Sequence, residues 1–260
     1  MLQVSSLQLE AWLAMLVFPM ARVLGVVMTA PVFGNRGMPM RIRLMVGLGI
    51  TLGLAPALPP MPSVPLGSWT GLLMIMQESL VGLAMGFCLR LTFAAIDIMG
   101  EVLSLQMGLS FATFFDPMTN AQTGVVGEIL ALLVSLIFLS LNGHLLVAEA
   151  LVRSFEWLPV RTTPVHARGW GTLAQAGAFM FGTALMLSLP AAAALLITNL
   201  ALAVLTRAAP QLNLFAIGFP ITLTVGIGVI VVGLEHMTPL LQHLYEEGFE
   251  LMARVARNLG

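Results

Sequence analysis

The 260-residue chain is 58% hydrophobic and only 9% charged, with a formal net charge of −1 and a mean hydropathy of +0.98. A soluble domain carries roughly 25% charged residues, so this chain lacks the polar material to cover itself and reads as a polytopic membrane protein or as one buried in a larger assembly. Its charge excludes a basic nucleic-acid footprint, and its single cysteine, Cys88, excludes an internal disulfide or a thiolate cluster.

The N-terminal stretch MLQVSSLQLEAW has no Arg or Lys ahead of its apolar run and carries Glu10, unlike a secretory signal peptide. The first apolar segment is therefore expected to stay in the protein. Residues 11–33 contain Pro19 and Arg22 and are about long enough for one helical crossing, which takes roughly 20 residues. Arg36, Arg41 and Arg43 then crowd a short loop, placed in the cytoplasm by the positive-inside tendency. Residues 44–58 form a shorter run with Gly49 and Gly53 four apart. Five prolines between Pro56 and Pro65 exclude helix and predict a stiff extended connector on the outer side.

Residues 69–95 form the third run, with Glu78 and Arg90 inside it and Gly82 and Gly86 at helix-packing spacing. Helical character continues to Leu105. At 100° per residue, Arg90, Ala94, Asp97 and Glu101 fall on one stripe. Residues 105–124, LQMGLSFATFFDPMTNAQTG, break the pattern. Pro117 biases Asp116 away from helical geometry, so a helix arriving from the N-terminal side is expected to stop there. Phe111, Phe114 and Phe115, with Met107 and Met118, make this loop greasier than a water-exposed turn, and something must shield them. Two readings stand: a buried re-entrant turn packed by its own chain, or a movable apolar stopper at the mouth of a passage.

Residues 124–141 form an apolar run containing Glu128, Asn142-Gly143 marks a turn, and residues 144–158 form a shorter, mildly polar helix. Arg153, Arg161 and Arg168 mark the linker that follows as cytoplasmic. Residues 173–205 exceed one span and are divided by Pro190, predicting one kinked helix or a hairpin. A polar turn runs from Arg207 to Asn213, and residues 215–234 form the last apolar run. From Thr238, Leu241, Leu244, Gly248, Leu251, Val255 and Leu259 recur near helical spacing, predicting an amphipathic helix for a membrane surface or a partner. Simple up-and-down topology fits poorly. Two runs separate the outer proline connector from the inner linker at Arg161, where an odd number of crossings is required.

Ionisable residues inside apolar runs are expensive: Arg22, Glu78, Arg90, Asp97, Glu101, Glu128 and Glu149. They read either as a proton relay or polar path, or as ion pairs between helices such as Arg90 with Asp97. No HExxH, GxSxG or GxGxxG motif is present, so no catalytic, cofactor-binding or metal-binding residues are assigned and no enzyme activity is expected. His144 with Glu149, or His236 with His243, supply two ligands without a third. Most of the 18 methionines serve as interface filler, while a few near Met107 and Met118 suit a deformable seal.

Three separated stretches resemble one family. Residues 86–123, GFCLRLTFAAIDIMGEVLSLQMGLSFATFFDPMTNAQT, are similar to the most characteristic stretch of the FliR family of flagellar export-gate proteins. Residues 30–52, APVFGNRGMPMRIRLMVGLGITL, and residues 207–221, RAAPQLNLFAIGFPI, resemble that family too. The resemblance implies an all-α protein of membrane-associated helical hairpins, FliP-like over residues 1–171 and FliQ-like over 172–260. It implies a hetero-oligomeric helical assembly with FliP and FliQ, wrapped by FlhB and served by FlhA and a cytoplasmic ATPase, in the bacterial inner membrane at the flagellar basal body. Much of that assembly is raised out of the membrane plane, which would account for the crossing conflict. The implied plug loop falls on Gln106, Met107, Gly108, Leu109, Ser110, Phe111, Phe114, Phe115, Asp116, Pro117 and Met118, with Gly108 and Gly124 as hinges, and it closes a channel for unfolded flagellar proteins. Arg90, Asp97 and Glu101 form an intramembrane charge stripe, and Arg207, Pro210, Gln211 and Asn213 a subunit-interface turn. The alternatives are the injectisome branch (the SctT proteins) and a stand-alone proton-coupled transporter using Glu78, Asp97, Glu101 and Glu128. A transporter of that kind usually shows internal repeats, and none is evident.

Overall fold

The computed structural model describes residues 6–34, 37–109, 124–211 and 214–260, and among these it is helical with no strand. Among the described residues seven α-helices follow in order: α1 (Ser6–Thr29), α2 (Met40–Leu54), α3 (Trp69–Gln106), α4 (Val125–Ser140), α5 (Gly143–Trp157), α6 (Ala167–Ala208) and α7 (Leu214–Leu259). A short 3-10 turn, Ala55–Ala57, ends α2. Among the described residues five helices are long and apolar enough to cross a membrane, or six spans if the bent pair α4–α5 counts as one. At about 1.5 Å per residue α3 is roughly 57 Å long, nearly twice the ~30 Å of a bilayer core. The run that upset the crossing count is thus too long to be one clean span.

Several boundaries differ from expectation. Arg41 and Arg43 lie in the first turn of α2 rather than in a loop. Residues 173–205 belong to one helix, α6, which continues through Pro190 with no hairpin. The last apolar run and the amphipathic tail are likewise one helix, since α7 passes through Pro220 and Pro239 without a break. In an apolar setting, neighbouring groups can satisfy the carbonyls that a helix proline frees. The predicted turn at Asn142 is present: Asn142 adopts the left-handed conformation (φ 57°), and α4 and α5 meet there at a 67° bend.

The chain divides into two compact units, each with its own interior. The first comprises Met1–Thr92, Phe138–Gly177 and Tyr245–Gly260. In it α1 and α3 approach backbone to backbone: a Cβ on Gly25 would lie 2.6 Å from the Ser79 carbonyl oxygen, and one on Gly82 would collide with the Arg22 carbonyl. The Gly82–Gly86 spacing is therefore a real close-packing face. A Cβ on Gly49 or Gly53, at the same spacing on α2, would meet nothing within 4 Å among the described residues. Val64 and Leu66 of the proline connector pack over Ala14, Phe18 and Met74. The tail's apolar face is also internal, with Leu251, Met252, Val255, Ala256 and Leu259 all buried. Its partner is its own chain, not a membrane surface.

The second unit comprises Phe93–Ile137 and Ala178–Leu244. The last turns of α3 meet the start of α4 where a Cβ on Gly100 would lie 2.5 Å from Gly127 Cα. Outward-facing residues here are strongly apolar. Phe181, Met186, Ile197, Leu200 and Val232 each expose more than 60% of their surface, far more grease than water tolerates on a monomer.

Candidate functional site

The loop singled out in the sequence is built upon a well-defined root in the second unit. The helix leading into it, α3, ends at Gln106, ahead of Asp116-Pro117, so proline is not what stops it. The stop is made by Gly108, whose φ of 81° lies in the left-handed region that L side chains avoid. The Leu109 N–H donates to the Ser104 carbonyl (3.0 Å) and the Gly108 N–H to the Leu105 carbonyl (3.2 Å). These two bonds are the 6→1 and 5→2 pair of a Schellman ending with glycine at C′. Helix-end carbonyls are thereby satisfied where the medium cannot satisfy them.

Two other helices hold this ending. The Thr222 hydroxyl on α7 donates to the Met107 carbonyl at 3.1 Å, and Asn199 Nδ2 on α6 donates to the Gln106 carbonyl at 3.3 Å. The Met107 side chain is buried and lies over Gly226, where a Cβ would come within 2.6 Å of Met107 Cγ and Sδ. The exit is tied as well. Glu101 Oε1 accepts the Gly124 N–H at 2.6 Å, one residue ahead of α4. A carboxylate suits that position, because the first turn of a helix presents unpaired N–H groups and a partial positive charge. A Cβ on Gly124 would also meet Ser104 Oγ at 2.5 Å. That hydroxyl is buried with no hydrogen-bond partner among the described residues. Entry and exit of the loop are thus both fastened to the last two turns of α3.

Of the plug-loop residues, Gln106, Met107, Gly108 and Leu109 are therefore seen at the root. Ser110, Phe111, Phe114, Phe115, Asp116, Pro117 and Met118 lie outside the described residues. Beside the root an apolar cavity of about 470 Å³ is lined by Met99, Leu103, Leu130, Pro190, Val229 and His236, among others.

A model described as "Bacterial export proteins, family 1" matches residues 13–248. The chain is 42% identical to the flagellar biosynthetic protein FliR of Escherichia coli K12, over 100% of this chain and 99% of that protein. The chain belongs to the FliR family of bacterial export proteins. A FliR from Pectobacterium carotovorum is 41% identical over the same shares, and one from Buchnera aphidicola (Acyrthosiphon pisum) is 32% identical over 95% of each chain.

Other residues singled out in the FliR-like sequence fall in separate places. Arg90, Asp97 and Glu101 are all exposed on α3, with Glu101 engaged by Gly124 as above. Arg207 lies in the last turn of α6, and Pro210 and Gln211 are exposed just beyond it, while Asn213 lies outside the described residues. Glu149 pairs with Arg153 at 2.7 Å on the surface of α5. A buried ion pair between Arg22 and Glu78 was not anticipated. Arg22 Nε donates to Glu78 Oε2 at 2.6 Å, with both side chains essentially inaccessible to solvent. Arg22 also donates to the Ser154 carbonyl (2.9 Å), Ser154 Oγ (3.1 Å) and the Leu158 carbonyl (2.8 Å), and its guanidinium lies 4.0 Å over the Phe155 ring. One cation thus ties α1 to α3 while sitting at the negative end of α5. For this pair the structure shows the interhelical ion pair.

Sequence reasoning missed Asn199, Thr222 and Gly226 at the root. The available signal was weak: two uncharged polar residues and a glycine inside membrane-grade helices. No group of three or more metal-ligating side chains occurs among the described residues.

Proposed function

We propose that this protein is an export-gate subunit of a flagellar type III secretion apparatus. In this reading it assembles with FliP and FliQ into a channel for unfolded flagellar proteins, and its loop 105–124 closes that channel. Residues 1–171 form the FliP-like part and 172–260 the FliQ-like part. FlhB and FlhA are the further partners, the bacterial inner membrane at the basal body is the site, and no chemistry is catalysed. Arg90, Asp97 and Glu101 serve as the charge stripe, and the turn at Arg207, Pro210, Gln211 and Asn213 meets neighbouring subunits. The names of the relatives favour the flagellar branch over the injectisome one.

The observation that carries the plug is the two-ended root. A segment with three phenylalanines leaves α3 through a glycine ending fastened by Thr222 and Asn199, and returns through a carboxylate clamp at Gly124. A fixed base under an apolar tip is what a closure needs, because a narrow apolar constriction is costly to wet. Deleting Phe111, Ala112, Thr113, Phe114 and Phe115 is expected to leave recovery of the assembled complex intact and to raise passive ion flux across the membrane. Permeability equal to that of the parent strain would overturn the plug assignment.

A further inference from the structure

We infer that the first unit carries a binding site for a phosphate anion, presented by a phospholipid headgroup or as free phosphate, with Arg168 and Arg257 as its ligands. A cavity of about 480 Å³ lies where the start of α6 meets the end of α7, lined by His166, Ala167, Arg168, Arg257, Asn258 and Gly260. Its walls are already fixed. The His166 N–H donates to the Leu259 carbonyl at 3.0 Å, Arg161 Nη2 donates to Gly260 O at 2.6 Å, and Asn258 Nδ2 donates to Thr172 Oγ1 at 2.9 Å. Two cations remain uncommitted. The Arg257 guanidinium lies 4.9 Å over the Trp157 ring, a stacking that steadies its plane while leaving its edge N–H groups free. Arg168 is exposed, and among the described residues neither guanidinium takes part in a hydrogen bond or ion pair.

No Asp or Glu lines the cavity. Glu156 and Glu250, the acids next in sequence to its framework, are both exposed. Two arginines in a hollow that no Asp or Glu lines match a phosphate group, which accepts paired N–H donors in the guanidinium plane. A lipid source is the first to test, because α6, which begins here, and α7, which ends here, are both long and apolar enough to be candidate membrane helices. Basic pockets between membrane helices recognise anionic headgroups by this chemistry.

The test measures the thermal unfolding midpoint of the full-length protein in a maltoside detergent. It is titrated with dihexanoyl phosphatidylglycerol, dihexanoyl phosphatidylcholine or inorganic phosphate. Phosphatidylglycerol is expected to raise the midpoint saturably, and phosphatidylcholine to leave it unmoved. In Arg168→Gln with Arg257→Gln, the apparent affinity is expected to fall at least about tenfold. A rise with phosphatidylglycerol alone assigns the site to a lipid headgroup, and an equal rise with inorganic phosphate assigns it to the free ion. Because Arg257 also stacks on Trp157, Arg168→Gln alone serves as the variant that preserves the fold, and it too must weaken the response. The site is refuted by a wild-type midpoint that neither anion moves, by phosphatidylcholine matching phosphatidylglycerol, or by variants that respond like the wild type.

Discussion

Arg22 shows how much one side chain can hold when nothing else competes for it. Its guanidinium spends its donors on a carboxylate, a hydroxyl and two carbonyls from two other segments, all out of reach of water. Removing one partner of such a buried pair leaves an uncompensated charge, which costs on the order of 3–5 kcal/mol. Arg22→Ala is therefore expected to lower the thermal midpoint of the detergent-solubilised protein sharply. Arg22→Met combined with Glu78→Leu should recover most of the loss, and a double variant as unstable as the single one would contradict this account. Thr222 acts on a smaller scale. Thr222→Val removes a hydrogen bond to Met107 worth about 1 kcal/mol, so limited proteolysis within 110–123 should quicken while the midpoint barely moves. Both Arg22 and Glu78 were legible as costly charges, but their pairing was not, because 56 residues separate them and no local periodicity relates them.

The helices themselves were easier to read than their ends. Apolar runs of spanning length located α1, α3, α4, α6 and α7, since burial in an apolar medium requires continuous apolar sequence. Their junctions misled wherever proline was taken as a terminator. Pro190 lies inside α6, and α3 ends well ahead of Pro117, at an ending that uses Gly108. Forcing an L side chain into that left-handed position costs roughly 1–2 kcal/mol. Gly108→Ala is accordingly expected to loosen the loop entry, seen as faster labelling of a cysteine placed at Phe111, without abolishing expression. At the exit, Glu101→Gln keeps an acceptor for the Gly124 N–H and should be mild, while Glu101→Ala should release the segment as Gly108→Ala does. If Gln were as disruptive as Ala, the carboxylate would be acting elsewhere, for instance on a neighbouring chain. Asn199, Thr222 and Gly226 escaped sequence reading for a related reason: their role depends on which helix end they meet.

At the scale of the whole chain, the surface is the informative part. Met45 and Met186 are each more than 70% exposed, and much of α2, α6 and α7 shows the same character. The protein should therefore leave the membrane only in detergent and accompanied by other chains, and the mass of the purified complex should not be a whole-number multiple of the 27.7 kDa polypeptide. A stable, detergent-soluble homo-oligomer would contradict the gate reading. Composition alone made the membrane setting legible; the division into two compact units was not, because α3, α6 and α7 each contribute to both. Gly108 and Gly124, the ends of the plug segment that holds residues 110–123, are both fastened. At about 3.5 Å per extended residue, a tether of that length travels no further than roughly 25 Å out and back. If the proposed plug role holds, the aperture must lie inside that radius, and lengthening the leash with a glycine-serine insert, base unchanged, is expected to raise passive ion flux through slack alone.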